Sequence, residues 1–205
     1  MFEKIHDYLH QLTPERSDVL QEMERYAREK GFPIVGPLVG RFLYQMAKAI
    51  QARRIFEMGS GFGYSAYWFS LARGTEAEIS LTDGDPEKKA MAEDYFKRGG
   101  LTSEFNYAVG DARQLLRKAD GRFDIIFNDI DKEGYPETID LVADRLRSGG
   151  LFLTDNVIWS GKVLDRNPDQ VTTAVRTFNE ALYADPRFFT TIIPLRDGVA
   201  VAMRL

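Results

Sequence analysis

The glycine-rich segment Glu57-Met58-Gly59-Ser60-Gly61-Phe62-Gly63 lies between a short apolar run, residues 54–56, and an amphipathic stretch, residues 64–73. The short run predicts a buried strand, and the stretch after the glycines has apolar residues at helical spacing. A strand that passes through a glycine-rich turn into a helix is typical of α/β folds that bind a nucleotide or nucleoside at the turn. The segment therefore predicts an open sheet with a ligand site at the end of its first strand.

Short apolar runs and helical patterns continue to alternate after this segment. The further predicted strands are residues 78–83, 105–109, 123–127 and 151–154, and the helices between them include 86–98 and 136–147. This alternation implies right-handed crossovers and a parallel sheet that is covered by helices on both faces. We therefore expect a Rossmann-like α/β three-layer sandwich.

The C-terminal part of the chain has a different pattern. After a predicted helix at residues 168–184, the apolar runs 188–195 and 198–205 meet at Arg196-Asp197-Gly198. An Asp-Gly pair between two such runs is a hairpin signal. We therefore expect the mostly parallel sheet to end in an antiparallel hairpin.

The N-terminal region predicts two helices, at residues 13–30 and 37–50. Thr13 is the expected cap of the first helix, with Pro14 at its first position. No linker or repeat interrupts the sequence, so we expect a single domain, residues 1–205, in which residues 1–50 cap the cofactor and substrate site. A chain of 205 residues is long enough for one such domain with a sizeable core.

Composition excludes several classes of protein. The sequence has no cysteine, which rules out disulfides, zinc thiolate sites and a cysteine nucleophile. A net charge of −4 makes a nucleic-acid partner unfavourable. No apolar run is long enough for a bilayer, and the first residues lack the pattern of a signal peptide. We therefore expect a cytoplasmic protein without a membrane partner.

Polar residues follow each of the five predicted parallel strands, where an open α/β sheet binds its ligands. A sheet with only a structural role has no need for so many carboxylates at one edge. In strand order these residues are Glu57, Asp83 with Asp85, Asp111, Asp129 with Asp131, and Asp155 with Asn156.

The spacing of the glycines separates two kinds of ligand. A dinucleotide-binding turn has Gly-x-Gly-x-x-Gly, whereas this turn is Gly-x-Gly-x-Gly and has Tyr64 at the position of the third dinucleotide glycine. Glu57 would repel a pyrophosphate but suits S-adenosylmethionine, which carries a sulfonium and an ammonium group. Asp83 can accept hydrogen bonds from both ribose hydroxyls, a feature that dehydrogenases share. A tight turn without a ligand is the remaining alternative.

Asp129, Asp155 and Asn156 supply only oxygen ligands, which suit a hard cation such as Mg²⁺ or Ca²⁺. Two carboxylates and an amide leave coordination positions for substrate oxygens and water. Lys132, three residues after Asp129, can take a proton from a hydroxyl in the same pocket. A simple turn at Asp155-Asn156 is the structural alternative, but Asp129 at the neighbouring strand end favours a metal site.

Together these motifs resemble the cation-dependent class I O-methyltransferases that include catechol and caffeoyl-CoA O-methyltransferases. The resemblance extends from about Phe32 to the C-terminus. Its segments are Glu57 to Ser65, Asp129-Ile130-Asp131-Lys132-Glu133-Gly134-Tyr135, Asp155-Asn156-Val157-Ile158-Trp159-Ser160-Gly161 and Asn179 to Phe188. It implies a seven-stranded sheet, a homodimer and methyl transfer to a hydroxyl of a catechol-like or other vicinal-diol small molecule, with a hydroxylated aromatic compound as the expected substrate.

The resemblance also implies roles for individual residues. Asp129, Asp155 and Asn156 would hold the divalent cation, usually Mg²⁺, and Lys132 would be the general base. Asp83 would bind the ribose of the cofactor. The residues expected around S-adenosylmethionine are Val35, Glu57, Gly59, Gly61, Ser65, Asp83, Ala112 and Asp129.

Two residues depart from the family pattern, and three alternative functions remain open. Asn128 replaces an apolar residue before the metal-binding aspartate, and Gly134 replaces an asparagine. The alternatives are a nicotinamide-dependent oxidoreductase, a cofactor-binding module without catalysis, and a methyltransferase of hydroxyuridine in tRNA. The last would need a basic patch, for which the candidates are Arg41, Lys48, Arg53 and Arg54.

Overall fold

A computed structural model describes residues 2–205, with side chains described from residue 4 onward. Seven strands form one sheet in the order β3-β2-β1-β4-β5-β7-β6. Strands β1 to β5 are parallel, and β7 is antiparallel to both β5 and β6. The strands are β1 (Arg54–Met58), β2 (Glu78–Asp83), β3 (Glu104–Val109), β4 (Phe123–Asn128), β5 (Leu146–Thr154), β6 (Phe188–Ile193) and β7 (Val199–Arg204).

Helices cover both faces of this sheet. Adjacent residues of β1 enter different cores, since Ile55 packs with the cluster that includes α3 and α4 and Phe56 with the one that includes α7 and α8. The helices are α1 (Phe2–Gln11), α2 (Asp18–Lys30), α3 (Gly36–Ala49), α4 (Tyr64–Arg73), α5 (Pro86–Arg98), α6 (Ala112–Lys118), α7 (Thr138–Arg145) and α8 (Gln170–Ala184). The predicted mostly parallel α/β sandwich with a C-terminal antiparallel hairpin is confirmed.

The expected start of the first long helix was wrong. Thr13 does not cap α2; its hydroxyl donates to the carbonyl of Leu9, at the end of α1. Ser17 is the cap, and its hydroxyl accepts from the backbone N–H of Leu20 at 3.4 Å. A threonine hydroxyl can satisfy the open carbonyls of a preceding helix as well as the N–H groups of a following one, and the sequence alone did not separate the two.

Strand β5 is longer than expected, and α6 was not among the expected helices. Leu146 at the start of β5 pairs with Phe123, and a register shift separates this pair from the next one at Ile125. In α6, which has only seven residues, Asp111 caps the helix by accepting from the N–H of Gln114 at 2.9 Å. Short or irregular elements like these depend on their neighbours more than on a periodic pattern.

The antiparallel hairpin brings a further turn to the ligand edge of the sheet. Ala200 of β7 pairs with Thr154, the last residue of β5. The β6–β7 turn at Arg196 and Asp197 therefore lies beside the carboxyl ends of the parallel strands. Within residues 2–205, no helix combines the length and the apolar character that crossing a membrane requires.

Candidate active site

The turn after β1 brings two strand ends into close contact. Gly59 has φ +80°, and a Cβ placed there would lie 2.5 Å from the backbone oxygen of Asp129. The N–H groups of Gly59 and Ser60 both donate to the carbonyl of Thr82, at 3.1 and 2.8 Å. Only glycine fits at position 59, because both the backbone conformation and the neighbouring strand exclude a side chain.

Asp83, at the end of β2, is oriented by backbone donors. One carboxylate oxygen accepts from the N–H of Gly61 at 2.9 Å, and the other accepts from the N–H of Asp85 at 2.9 Å. Tyr107 supports the same turn, since its hydroxyl donates to the carbonyl of Gly61 at 2.6 Å. The carboxylate is thus held in place while its remaining lone pairs face a cavity, as binding of a ribose requires.

Glu57 is fully buried at the end of β1. The hydroxyl of Ser65 donates to its Oε1, whereas its Oε2 has no partner among the described residues. Burial raises the pKa of the Glu57 carboxyl to about 8, with hydrogen bonds from serine hydroxyls acting in the opposite direction. A carboxyl group with a free oxygen in such a position favours a cationic ligand, which would supply the missing charge partner.

A cavity of about 990 Å³ lies along the ends of β1 to β4. Gly59, Asp83, Ala112 and Asp129 all line it. The cavity is at the upper end of the size range of small-molecule sites and is large enough for a nucleoside. It brings together the residues that the sequence predicted on the adenosine side.

A smaller cavity of about 200 Å³ adjoins the larger one and is lined both by predicted cofactor residues and by the predicted oxygen ligands. The predicted residues that line it are Val35, Gly59, Gly61, Ser65, Asp83, Lys132, Asp129, Asp155 and Asn156. Gly59, Asp83 and Asp129 line both cavities. All of the predicted cofactor residues except Glu57, together with the oxygen ligands, therefore line one or both of these cavities. Glu57 lines neither and contacts the site through Ser65, whose hydroxyl donates to its Oε1.

Lys132 reaches back to the end of β4. Its ammonium donates to a carboxylate oxygen of Asp129 at 2.9 Å and to the carbonyl of Ile130 at 3.3 Å. The Nζ atom also lies 5.4 Å from the ring centroid of Tyr135 and 5.9 Å from that of Trp159. These contacts hold the amine at the entrance of the oxygen-ligand cluster.

Asp155 carries the least satisfied carboxylate of this cluster. It is 1% exposed, and neither of its carboxylate oxygens has a hydrogen-bond partner among the described residues. Burial, and then the nearby charge of Asp129, raise the pKa of Asp155 to about 7. An Arg196 nitrogen lies 3.6 Å away, outside good hydrogen-bond geometry.

The donors here fit a hard divalent cation. Asn156 has φ +56° and donates through its amide nitrogen to Asp197 at 3.3 Å, which leaves the amide oxygen for a ligand. The described residues contain no cluster of three or more histidine, aspartate or glutamate side chains suited to a metal. The candidate set instead has two carboxylates with an amide as the third group, and the unpartnered oxygens of Asp155 are what a cation would satisfy.

Three residues that support the site were not recognised from the sequence. Tyr107 holds the glycine turn, and the hydroxyl of Tyr135 donates to the backbone carbonyl of Asp155 at 2.9 Å. Arg196 was read only as part of a hairpin turn. The sequence did contain an indication that Arg196 lies near the site. The turn that precedes a strand antiparallel to β5 must lie at the edge of the sheet where the parallel strands end.

Comparison with known proteins identifies the family. The family described as O-methyltransferase matches residues 11–205. The catechol O-methyltransferase of Niastella koreensis is 34% identical over 215 residues, covering 99% of this chain and 97% of that protein. The caffeoyl-CoA O-methyltransferase of Stellaria longipes is 28% identical over 99% of this chain and 91% of its own length.

A solved structure agrees with this result. The O-methyltransferase TomG of Streptomyces achromogenes, which is involved in tomaymycin synthesis, was crystallised with S-adenosylmethionine. It superposes with a TM-score of 0.87 at 26% identity, covering 98% of this chain and 96% of that one. The chain belongs to the O-methyltransferase family, as its motifs indicated.

Proposed function

We propose that this S-adenosylmethionine-dependent O-methyltransferase methylates one hydroxyl of a vicinal diol on a small aromatic molecule, with the help of a divalent cation, Mg²⁺ in our expectation. The observation that supports the cation is the buried carboxylate of Asp155, which has two unpartnered oxygens. It lines the same cavity as Asp129, Asn156 and Lys132.

The methyl donor would bind along the ends of β1 to β4. Asp83 would accept hydrogen bonds from the ribose hydroxyls, and Ala112 would lie beside the adenine in the larger cavity. Glu57, with Ser65, would hold the cationic amino-acid portion. The TomG complex supports this assignment, because it shows S-adenosylmethionine bound by a relative of the same fold.

Asp129, Asp155 and Asn156 would hold the cation. When bound, the cation would lower the pKa of a coordinated hydroxyl, which makes the oxygen a better nucleophile at neutral pH. Lys132, whose Nζ is 2.9 Å from Asp129, would first lose its own proton to solvent and then, as a neutral amine, take the hydroxyl proton onto Nζ. The oxygen would then bond to the methyl carbon as the carbon–sulfur bond breaks and S-adenosylhomocysteine leaves.

Positioning would contribute a large share of the rate. Holding the acceptor oxygen in line with the methyl group can supply on the order of 7–11 kcal/mol of the barrier. Gly59 is central to this arrangement, because it places the glycine turn directly against the carbonyl of Asp129. The donor site and the oxygen-ligand cluster are thereby fixed relative to each other.

The acceptor that we propose is a small molecule rather than RNA. Arg53 and Arg54 stand before and at the start of β1, at the opposite edge of the sheet from the site. Arg54 is also engaged, since it donates to Glu78 at 3.3 Å and to the carbonyls of Asp120 and Arg122. Arg53 and Arg54 therefore lie away from Lys132 and are not part of the candidate site.

We also propose a single catalytic domain that functions as a homodimer. Val35, at the start of α3, and Phe32 line the smaller cavity, so the segment after α2 would cover the donor.

The proposed subunit contact involves the C-terminal hairpin. Phe189 and Met203 are neighbours across β6 and β7 and are 64% and 39% exposed. An exposed apolar pair at this side of the sheet suits a subunit contact. Light scattering, which measures the molar mass in solution, would report the oligomeric state.

The test of the proposed mechanism is the variant Asp155→Asn, with Asp165→Asn on an exposed loop as the matched control. We expect the rate of Mg²⁺-dependent methyl transfer to catechol to fall by at least about a hundredfold in Asp155→Asn. Substitutions of metal ligands, or of the groups that orient them, have effects of this order. Calorimetry should show S-adenosylhomocysteine binding unchanged in both variants. Full activity of Asp155→Asn, or of the wild type in excess chelator, would contradict the cation-assisted mechanism.

A further inference from the structure

Arg196 lies where three cavities of the molecule meet. It lines the smaller cavity of the active site, a second of about 630 Å³ beside α1, and a third of about 420 Å³ beneath α2. Its guanidinium is 3.6 Å from Asp155, and its side chain is 36% exposed. A cation in this position faces any molecule that reaches the oxygen-ligand cluster from the side of α1.

The backbone of Arg196 is fixed, and its side chain has one charged partner, Asp155, at 3.6 Å. The neighbouring Asp197 accepts from the amide of Asn156 and from the backbone N–H of Ser160. Arg196 itself has φ +54°, an uncommon conformation for a residue other than glycine. None of the hydrogen bonds described for residues 4–205 uses its guanidinium, so its N–H donors can bind a ligand in addition to the ion pair with Asp155.

The cavity beside α1 is lined by both basic and acidic side chains. Besides Arg196 it contains His6, whose Nε2 is buried without a partner among the described residues. Two carboxylates also line it. Asp197 is occupied by the two hydrogen bonds of the turn, and Asp7 lies on the exposed side of α1. Arg196 is therefore the one arginine or lysine among the described residues that line this cavity, and its guanidinium approaches Asp155.

We propose that Arg196 determines acceptor specificity by binding a carboxylate on the ring of the diol substrate. The preferred acceptors are then hydroxylated aromatic acids rather than neutral catechols. This inference rests on the proposed function, because it assumes that the diol lies at the Asp155 cluster. Arginine recognises carboxylates with two parallel hydrogen bonds, and no hydrogen bond among the described residues occupies the guanidinium of Arg196.

The experiment compares 3,4-dihydroxybenzoate, catechol and caffeoyl-CoA as acceptors for the wild type, Arg196→Gln and Arg196→Lys. We expect the wild type to prefer 3,4-dihydroxybenzoate over catechol in kcat/KM. Arg196→Gln should reduce the ratio of kcat/KM for the acid to kcat/KM for catechol by about tenfold to a hundredfold, the effect of losing a hydrogen bond between charged groups. Arg196→Lys should restore part of the preference. Calorimetric binding of the acid in the presence of S-adenosylhomocysteine gives a second readout that does not depend on turnover.

The control is Arg25→Gln, which removes the same charge from an exposed position of α2 that lines none of these cavities. A wild type without preference for the acid, or an Arg196→Gln variant that retains it, would overturn the role of Arg196. If Arg196→Gln lost activity only toward caffeoyl-CoA, the proposed recognition of a ring carboxylate would also be overturned, because the anion recognised would then be a phosphate of the coenzyme A group. If the wild type methylates none of the three diols, the proposed function itself has failed.

Discussion

The substitution Glu57→Gln should make the free protein more stable at neutral pH while it weakens binding of the methyl donor. Glu57 is fully buried, and the pKa of its carboxyl is raised from 4.5 to about 8 because burial disfavours the charged form. Glutamine has nearly the same shape and can still accept the hydrogen bond from Ser65. Glutamine has no carboxyl group to ionise, so the free-energy cost of burying an ionised carboxylate at this position is absent in the variant.

The sign and size of the effect follow from proton linkage. Between pH 4.5 and pH 8 the unfolded chain has lost the Glu57 proton and the folded chain has kept it, so the stability of the wild type falls as the pH rises through this window. Each pH unit corresponds to about 1.4 kcal/mol. The difference in favour of Glu57→Gln should therefore be small near pH 4.5, about 3 kcal/mol at pH 7 and about 5 kcal/mol above pH 8, where it becomes constant.

Denaturant unfolding of the ligand-free protein from pH 5 to pH 8.5 measures this difference directly. Glu104→Gln, at an exposed position of β3, is the matched control and should show no such trend. A difference between Glu57→Gln and the wild type that does not change with pH would refute the reasoning. So would a Glu57→Gln variant that is less stable than the wild type at pH 8.

The same variant should bind S-adenosylmethionine more weakly, because the carboxylate opposite the cationic amino-acid portion is gone. Loss of a hydrogen bond to a charged group should raise Kd by about tenfold or more. The ammonium of the ligand itself titrates near pH 8, so the pH dependence of Kd must be compared between the two proteins. Any pH dependence of Kd that the wild type shows and Glu57→Gln does not is due to ionisation of Glu57. If calorimetry gives the same pH dependence of Kd for both proteins, the proposed role of Glu57 is contradicted.

Two further substitutions test the framework around the site. Gly59→Ala places a Cβ 2.5 Å from the carbonyl oxygen of Asp129 at φ +80°, so we expect a loss of about 2 kcal/mol or more of stability and a fall in kcat, measured by unfolding and by methyl transfer. Arg16→Met leaves the buried carboxylate of Glu24 without its 2.7 Å partner and should cost about 2–3 kcal/mol at pH 7. Retention of wild-type stability by either variant would show that the contact does not constrain the fold.

The sequence predicted the regular elements well because their signals are local. Helix α4 begins and ends at the residues expected from the pattern, and so does α5, where Asp85 caps the first turn and accepts from Glu87 at 2.9 Å. The hairpin was also expected, since Asp197-Gly198 is a strong turn signal between two apolar runs. Periodicity and caps are properties of neighbouring residues, which a sequence displays directly.

The contacts that complete the site were less visible, since they join distant parts of the chain. Tyr107 is 46 residues from Gly61, whose carbonyl it binds. Arg196 comes within 3.6 Å of Asp155 only because β7 inserts between β5 and β6. The strand order that creates such contacts depends on tertiary packing, and a single sequence gives it only through general rules for open sheets.

The candidate site is organised around buried carboxyl groups whose oxygens are only partly hydrogen-bonded within the chain. Glu57 at the end of β1 and Asp155 after β5 are each buried with at least one unpartnered oxygen, and burial raises both of their pKa values. Such groups destabilise a fold unless a cation satisfies them. A sulfonium ligand with an ammonium group can do this at Glu57, and a divalent cation can do it at Asp155. Gly59, at which the glycine turn contacts Asp129, lines the same cavity as Asp155. In the mechanism that we propose, binding of the two cations would therefore place the methyl donor against the acceptor oxygen.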